Sequence, residues 1–230
     1  PHATPSTVTD PAAQRSPAVT HPLPTRERSP PARPTTAAAA TVADAQAAVD
    51  SAAAAFPAWS RLGRNQRRET RLAASRRLTE RAEDFTRLLV AETGAALPWV
   101  HFNVRLAAGM LTEAAAITTQ IKGEVLPADK PGMFSMALRR PVGVVLSIAP
   151  WNAPIILTVR ALATALACGN TVVLKASELS PGTQYLLATV MHDAGLPPGV
   201  LNFVTNAPAD AAAVVEAMIA HPAVRRVNFT

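Results

Sequence analysis

From Thr41 onward, apolar residues recur every three or four positions. Val42, Ala45, Val49 and Ala52 to Phe56 keep that spacing, which predicts a first helix closing at Pro57. A second, long helix is predicted from Asn65 to about Glu92, with Leu72, Leu78, Phe85, Leu88 and Leu89 as its apolar stripe. Arg64, Arg67, Arg68, Arg71, Arg76, Arg77 and Arg81, interleaved with Glu69, Glu80, Glu83 and Asp84, read as its wet face. Gly94 stands where a helix C-cap favours glycine. A third helix is predicted from about Trp99 to Ile121. Residues 122–140 read as a hairpin, with strands at Val125-Leu126 and Phe134 to Leu138 around a turn from Ala128 to Gly132.

Then the period changes. Val142 to Ile148, Thr171 to Leu174, Val200 to Val204 and Val224 to Phe229 are short apolar runs, and helical stretches at about 154–167, 181–194 and 208–220 separate them. That alternation predicts βαβ units, hence an α/β fold with a parallel sheet covered by helices on both faces. The expected organisation is a Pro-rich tail over 1–36, a helical part over 37–121, the hairpin over 122–140 and the βαβ sheet over 141–230. The chain begins at Pro1 rather than Met and stops within or at the end of its fourth such strand, so a piece of a longer chain is expected.

Composition sharpens this picture. The tail holds nine of the 21 prolines and no aromatic residue, so disorder is expected there. It is acid-poor and contains arginine, as transit peptides do, but proline this dense forbids their amphipathic helix and no apolar run suits secretion. Across all 230 residues, 49% are hydrophobic and 17% charged, enough for a buried core. The lone cysteine excludes a disulfide scaffold, a Cys-rich zinc site and an iron–sulfur cluster, and fits a reducing, cytoplasmic setting. A formal charge of +6 permits nucleic acid as a partner. The Arg-rich helix is the only cue for it, and cations alternating with acids, without interleaved aromatics, read better as a solvated face. Pro141 to Val159 is uncharged and long enough to span a bilayer, yet Pro150, Asn152 and Pro154 interrupt its centre, so no membrane segment is expected. The histidines are scattered without metal-ligand spacing, and no metal site is expected.

Ligands of an open parallel sheet bind outside the carboxyl ends of its strands. After the first strand comes Ile148-Ala149-Pro150-Trp151-Asn152-Ala153-Pro154. Pro150 and Pro154 stiffen the turn and aim Asn152 outward, where its amide N–H can meet a developing oxyanion. The plainer alternative is that Asn152 caps the next helix. After the second strand comes Leu174-Lys175-Ala176-Ser177-Glu178. An acidic residue there can grip ribose hydroxyls and disfavour a 2′-phosphate, which would select NAD over NADP. The alternative is a surface ion pair, or Ser177 and Glu178 starting a helix with Pro181 in its first turn. No G-x-G-x-x-G follows the first strand, so an ordinary Rossmann dehydrogenase is not indicated, and there is no P-loop. Cys168 sits at the other end of the sheet and reads as a small buried hydrophobe rather than a nucleophile.

Pro141-Val142-Gly143-Val144-Val145, Ala149-Pro150-Trp151-Asn152, Ala165 to Glu178, Ala194-Gly195-Leu196-Pro197-Pro198-Gly199-Val200-Leu201-Asn202 and Val224 to Thr230 stand in an order and spacing that resembles the aldehyde dehydrogenase superfamily. The resemblance covers Thr41 to Thr230. Ile121-Lys122-Gly123-Glu124 and Thr205 to Asp210 make it most similar to the branch acting on aromatic aldehydes, such as salicylaldehyde and vanillin. It implies a doubly wound, Rossmann-like NAD-binding domain. It also implies NAD-dependent oxidation of an aldehyde to its acid, through a thiohemiacetal and thioester on a cysteine, with water assisted by a glutamate. By position Asn152 would join the oxyanion hole, and Lys175, Ser177 and Glu178 would hold the adenosine ribose. Ile148, Ala149, Pro150 and Trp151 would line the cofactor cleft, and Pro208 would border the adenine. Leu157 and Arg160 would face the aldehyde, with Arg160 pairing a phenolate or carboxylate unless it is a plain surface arginine. The resemblance further implies a homodimer or tetramer, with the hairpin as part of the oligomerisation element. The superfamily's cysteine and glutamate would follow Thr230, so these residues alone would be inactive. Two other readings stand beside this one: a non-catalytic nucleotide-binding fragment, and a basic interaction module built on the tail and the Arg-rich helix.

Overall fold

The computed structural model describes residues 35–230, together with the backbone of Thr20–Pro22. The expectation of a disordered tail over 1–36 falls almost wholly outside the described residues. Thr20–Pro22 (β1) runs antiparallel to Thr36–Ala38 (β2).

Four helices follow. The first, α1 (Val42–Arg61), opens with a reciprocal cap: the Asp44 N–H donates to Thr41 Oγ1 at 3.2 Å, and the Thr41 N–H donates to the Asp44 carboxylate at 2.9 Å. It does not end at Pro57 as the sequence suggested. It runs one further turn, because that turn buries Trp59 to 2% exposure. Burying a tryptophan is worth about 3–5 kcal/mol, which offsets the roughly 3 kcal/mol a proline costs inside a helix.

The long helix expected from Asn65 to Glu92 is two helices, α2 (Arg64–Glu80) and α3 (Ala82–Thr93). Arg81 leaves helical geometry between them, with φ −96° and ψ 20°, and its Nε donates to Asp84 in the first turn of α3 at 3.0 Å. Gly94 closes α3 in the left-handed region, as the sequence indicated. The Arg-rich wet face needs correction too. Arg64, Arg68, Arg76 and Arg77 are exposed, but α2 buries Arg67, Arg71, Ala74 and Leu78, a clean helical stripe of which half is arginine. Arg67 donates through Nε to Ala167 O at 3.0 Å and through Nη1 to Leu62 O. The third expected helix is α4 (Leu97–Ile117), which stops four residues early, where the Thr118 hydroxyl turns back to Ala115 O. The hairpin pairs β3 (Glu124–Leu126) with β4 (Ser135–Ala137).

The remaining elements are β5 (Val144–Ile148), α5 (Pro154–Ala167), β6 (Thr171–Lys175), α6 (Pro181–Asp193), β7 (Leu201–Val204), a 3₁₀ turn at Pro208–Asp210, α7 (Ala211–Ala220) and β8 (Val224–Phe229). All four strands are parallel, in the order β7-β6-β5-β8. The larger core packs α2 to α6 on one face, through residues such as Phe85, Leu111, Leu162, Leu174 and Leu187. The smaller packs α1 and α7 on the other, through Val49, Leu146, Val173 and Met218. This is the doubly wound α/β arrangement that the alternation predicted.

The turn between α5 and β6 shows why Cys168-Gly169-Asn170 stands there. Gly169 takes φ +88°, which lets the chain leave the helix and enter the strand at once. Asn170 then ties three segments: its Oδ1 accepts from the Val142 and Gly143 N–H groups at 2.7 and 3.2 Å, and its Nδ2 donates to Ala165 O at 3.1 Å.

Candidate functional site at the carboxyl rim of the sheet

Strand register fixes where the two polar loops lie. Ile148 pairs with Lys175, and Lys175 pairs with Val204, in parallel ladders. The segments that follow β5, β6 and β7 therefore leave from one rim. The chain moves from β5 to β6 and β7 on one side, then returns to place β8 against β5 on the other. That reversal is the topological switch at which open α/β sheets bind ligands.

After β5, Ile148 and Pro150 are half-buried and Ala149 is buried, while Trp151 and Asn152 are exposed. Pro154 opens α5, and the N-cap position is Ala153, with no side-chain cap. Asn152 thus does not cap the helix, which removes the plainer alternative for it. Its side-chain amide makes no hydrogen bond among the described residues. Its backbone carbonyl is held instead, accepting from Trp99 Nε1 on α4 at 3.3 Å. The Trp99 ring stacks on Phe102 at 5.5 Å between centroids. Trp99 carries no sequence signal for this contact: 53 residues separate it from Asn152, and nothing in the pattern of α4 marks its indole as a partner of that loop.

After β6, Lys175 is buried, and its ammonium pairs with Glu178 Oε1. Asn206 Nδ2, arriving from the end of β7, donates to the same oxygen at 2.9 Å and to Ala207 O at 2.8 Å. The ion pair that sequence left open is real, but it sits in the rim and is not a surface pair: the two side chains are 8% and 24% exposed. Burial alone would raise the Glu178 carboxyl, yet the hydrogen bonds from Lys175 and Asn206 and the Lys175 charge outweigh it and hold the pKa below the usual carboxylate range. Glu178 is therefore a fixed carboxylate at neutral pH. Ser177 is buried and its hydroxyl accepts from the Leu179 N–H at 3.2 Å. Pro208 lies exposed at the start of the turn after β7. Asn206 was not foreseen, because a lone asparagine after a strand carries no signal of its own.

Leu157 and Arg160 diverge. Leu157 packs with Ala153, Ile156 and Met110. Arg160 is exposed and lines a groove of about 530 Å³ beside β8, with Thr164, Cys168, Arg226, Asn228 and Phe229 among its walls. Cys168 caps the far end of α5, at the opposite rim from Asn152. Burial pushes its thiol up, against a smaller opposing effect of Arg67, so it is a poor nucleophile. Among the described residues, no cluster of three His, Cys, Asp or Glu can hold a metal, and no helix is long and apolar enough to cross a membrane.

A fixed carboxylate with a buried ammonium beside it, one strand away from an exposed amide on a proline-braced turn, suits a nucleotide's hydroxyl-rich sugar at one end and a reacting carbonyl at the other. The chain belongs to the aldehyde dehydrogenase family, whose pattern matches residues 21–230. It is 61% identical over 193 residues to a vanillin dehydrogenase of Pseudomonas fluorescens, an alignment covering 84% of this chain and 40% of that protein. Among solved structures it is similar to a salicylaldehyde dehydrogenase from Pseudomonas putida G7 complexed with salicylaldehyde, with TM-score 0.88 and 38% identity, covering 97% of this chain and 46% of that one. It is also similar to PnpE in complex with nicotinamide adenine dinucleotide, with TM-score 0.87 and 30% identity, covering 98% and 45%. The chain thus spans less than half the length of these relatives, and aligns with proteins named for aromatic aldehydes.

Proposed function

We propose that residues 41–230 are the NAD-binding portion of an aldehyde dehydrogenase that oxidises an aromatic aldehyde to its carboxylic acid. The observation that carries this reading is the Ile148–Lys175 register, which sets the Asn152 turn and the Glu178 carboxylate side by side on one rim. The residues present fit a dinucleotide. Glu178, anchored by Lys175 and Asn206, offers a fixed acceptor for ribose hydroxyls, and its charge opposes a 2′-phosphate, so NAD is preferred to NADP. Ser177 belongs to the same loop, Pro208 offers an exposed ring for the adenine, and Ile148, Ala149, Pro150 and Trp151 form the wall toward the nicotinamide. When bound, the cofactor accepts the hydride.

Asn152 then donates its side-chain N–H to the aldehyde oxygen as that oxygen gains charge. Its freedom from capping and the indole bond on its carbonyl keep the amide available and the turn in place. Leu157 and Arg160 follow on α5, with Trp99 and Phe102 on α4 as aromatic neighbours of the turn. Cys168, at the opposite rim from Asn152 and with its thiol pushed up by burial, is not the nucleophile of this reading. The names of the relatives support the aromatic class of substrate. The exposed apolar hairpin, with Val125 at 70% and Phe134 at 67%, supports a homodimer or tetramer. The single cysteine supports a cytoplasmic setting.

The test is kinetic. In the full-length protein, Asn152→Ala is expected to lower kcat on an aromatic aldehyde by about 100-fold or more, with NAD affinity retained. Unchanged kcat would remove the oxyanion role. Failure of the wild-type protein to bind NAD by calorimetry would remove the cofactor reading.

A further inference from the structure

The ladder between β5 and β6 ends at Ile148 and Lys175. Beyond it, no hydrogen bond among the described residues joins 149–153 directly to 176–180. One side chain reaches both segments. Gln184, in the first turn of α6 and fully buried, accepts the Ser177 N–H through Oε1 at 2.6 Å. Its Nε2 donates to Thr158 Oγ1 on α5 at 2.9 Å and lies 3.3 and 3.4 Å from the carbonyl oxygens of Ala149 and Pro150. The amide thus uses both ends, one on each loop, and its short reach sets the distance between them.

Gln184 is itself held from behind. The Glu92 carboxylate, at the end of α3, accepts the Gly182 N–H at 2.7 Å and the Thr183 N–H and hydroxyl at 2.9 and 2.6 Å. The first turn of α6 is thereby fixed to the helical layer, and the Gln184 side chain leaves a rigid base.

We propose that Gln184 is a positioning residue that sets the spacing of the two rim loops for a ligand bridging both. The proposal rests on the cofactor reading above. A dinucleotide spans the Lys175–Glu178 loop and the Ala149–Asn152 turn, so it gains from their fixed separation. The adenosine half alone touches only the first and gains little. The signature of this role is therefore the ratio of affinities for the whole cofactor and its half. A merely structural role would lower both together.

Titration calorimetry of the full-length protein with NAD, and separately with 5′-AMP, reads that ratio. Gln184→Met keeps the volume and removes every hydrogen bond; it is expected to weaken NAD at least tenfold and 5′-AMP less than threefold. Thr158→Val removes one acceptor of the same amide without altering shape, and is expected to narrow the ratio two- to threefold. An unchanged ratio in Gln184→Met, whether both affinities hold or both fall alike, overturns the proposal and leaves the cofactor reading standing. If Gln184→Met does not fold, Thr158→Val decides, and an unchanged ratio there overturns it equally. If the wild-type protein binds neither ligand, the cofactor reading falls and this proposal falls with it.

Discussion

Arg71 offers a test of the fold's energetics. Its side chain is fully buried on α2, and none of its three nitrogens has a hydrogen-bond partner among the described residues. Its guanidinium carbon lies over the Trp59 ring, 5.4 Å from the centroid. Burial, with a smaller contribution from Arg67, pushes its pKa down to about 9. At about 1.4 kcal/mol per pH unit, that displacement penalises the charged form by about 5 kcal/mol. A desolvated cation over an indole recovers about 2 kcal/mol of it. Arg71→Met, which fills similar space with an apolar chain, should therefore stabilise the fold by about 2–3 kcal/mol, within the range seen when buried charges are replaced. For a chain of this length that is roughly 5–10 °C in Tm. The pH dependence has a definite sign. A base whose folded pKa is lowered is penalised in full below that pKa, and the penalty fades as pH rises from about 9 toward the ordinary arginine range. The gap between variant and wild type should thus be flat between pH 6 and 8 and narrow above about 9. Urea unfolding at several pH values measures it. A less stable Arg71→Met, or a gap that widens in alkali, would show that the guanidinium has a buried partner.

Other outcomes follow from neighbouring features. If Glu178 holds the ribose as proposed, Glu178→Ser should raise the NADP-to-NAD affinity ratio by calorimetry, since a 2′-phosphate would then meet no carboxylate; an unchanged ratio would count against the ribose assignment. Burial raises the Glu92 carboxyl above its ordinary range, despite the bonds from Thr183, Gly182 and Thr35. Its contribution to stability is fully present below the unfolded carboxylate pKa and lost as pH rises through the folded one, and Glu92→Gln should erase that slope in unfolding midpoints taken from pH 4 to 8. Trp99→Phe should cost about 1 kcal/mol of stability from the lost indole bond, and should raise KM for an aromatic aldehyde in steady-state assays. Gly169→Ala should cost about 1 kcal/mol or more in a thermal melt, since φ +88° is unfavourable to any side chain.

Much of the sheet could be read from the sequence because it is written in local patterns. Val224–Phe229 matched its expected run, and the other strands moved by one or two residues at their ends. The common rim of the Asn152 and Glu178 segments follows from parallel strands alone. The misreadings share one cause, in that tertiary contacts overrode residue type. Arginine reads as wet, yet Arg67 and Arg71 are inside, and their spacing with Ala74 and Leu78 is that of a buried stripe. Proline reads as a stop, but Trp59 two residues later needed one more turn of helix. Gln184 and Trp99 carried no local signal, since each matters only through groups that the fold brings to it from elsewhere in the chain.

The strand order also sets a sequence of assembly. Thr171 meets Val144 across 27 residues, whereas Val224 meets it across 80. Closing the longer loop costs about 1 kcal/mol more in chain entropy. During synthesis β5, β6 and β7 can zip together with α5 and α6 while β8 is still inside the ribosome. β8 then adds to a ribbon of three strands already paired, and among these four strands amide exchange should find it the first to loosen.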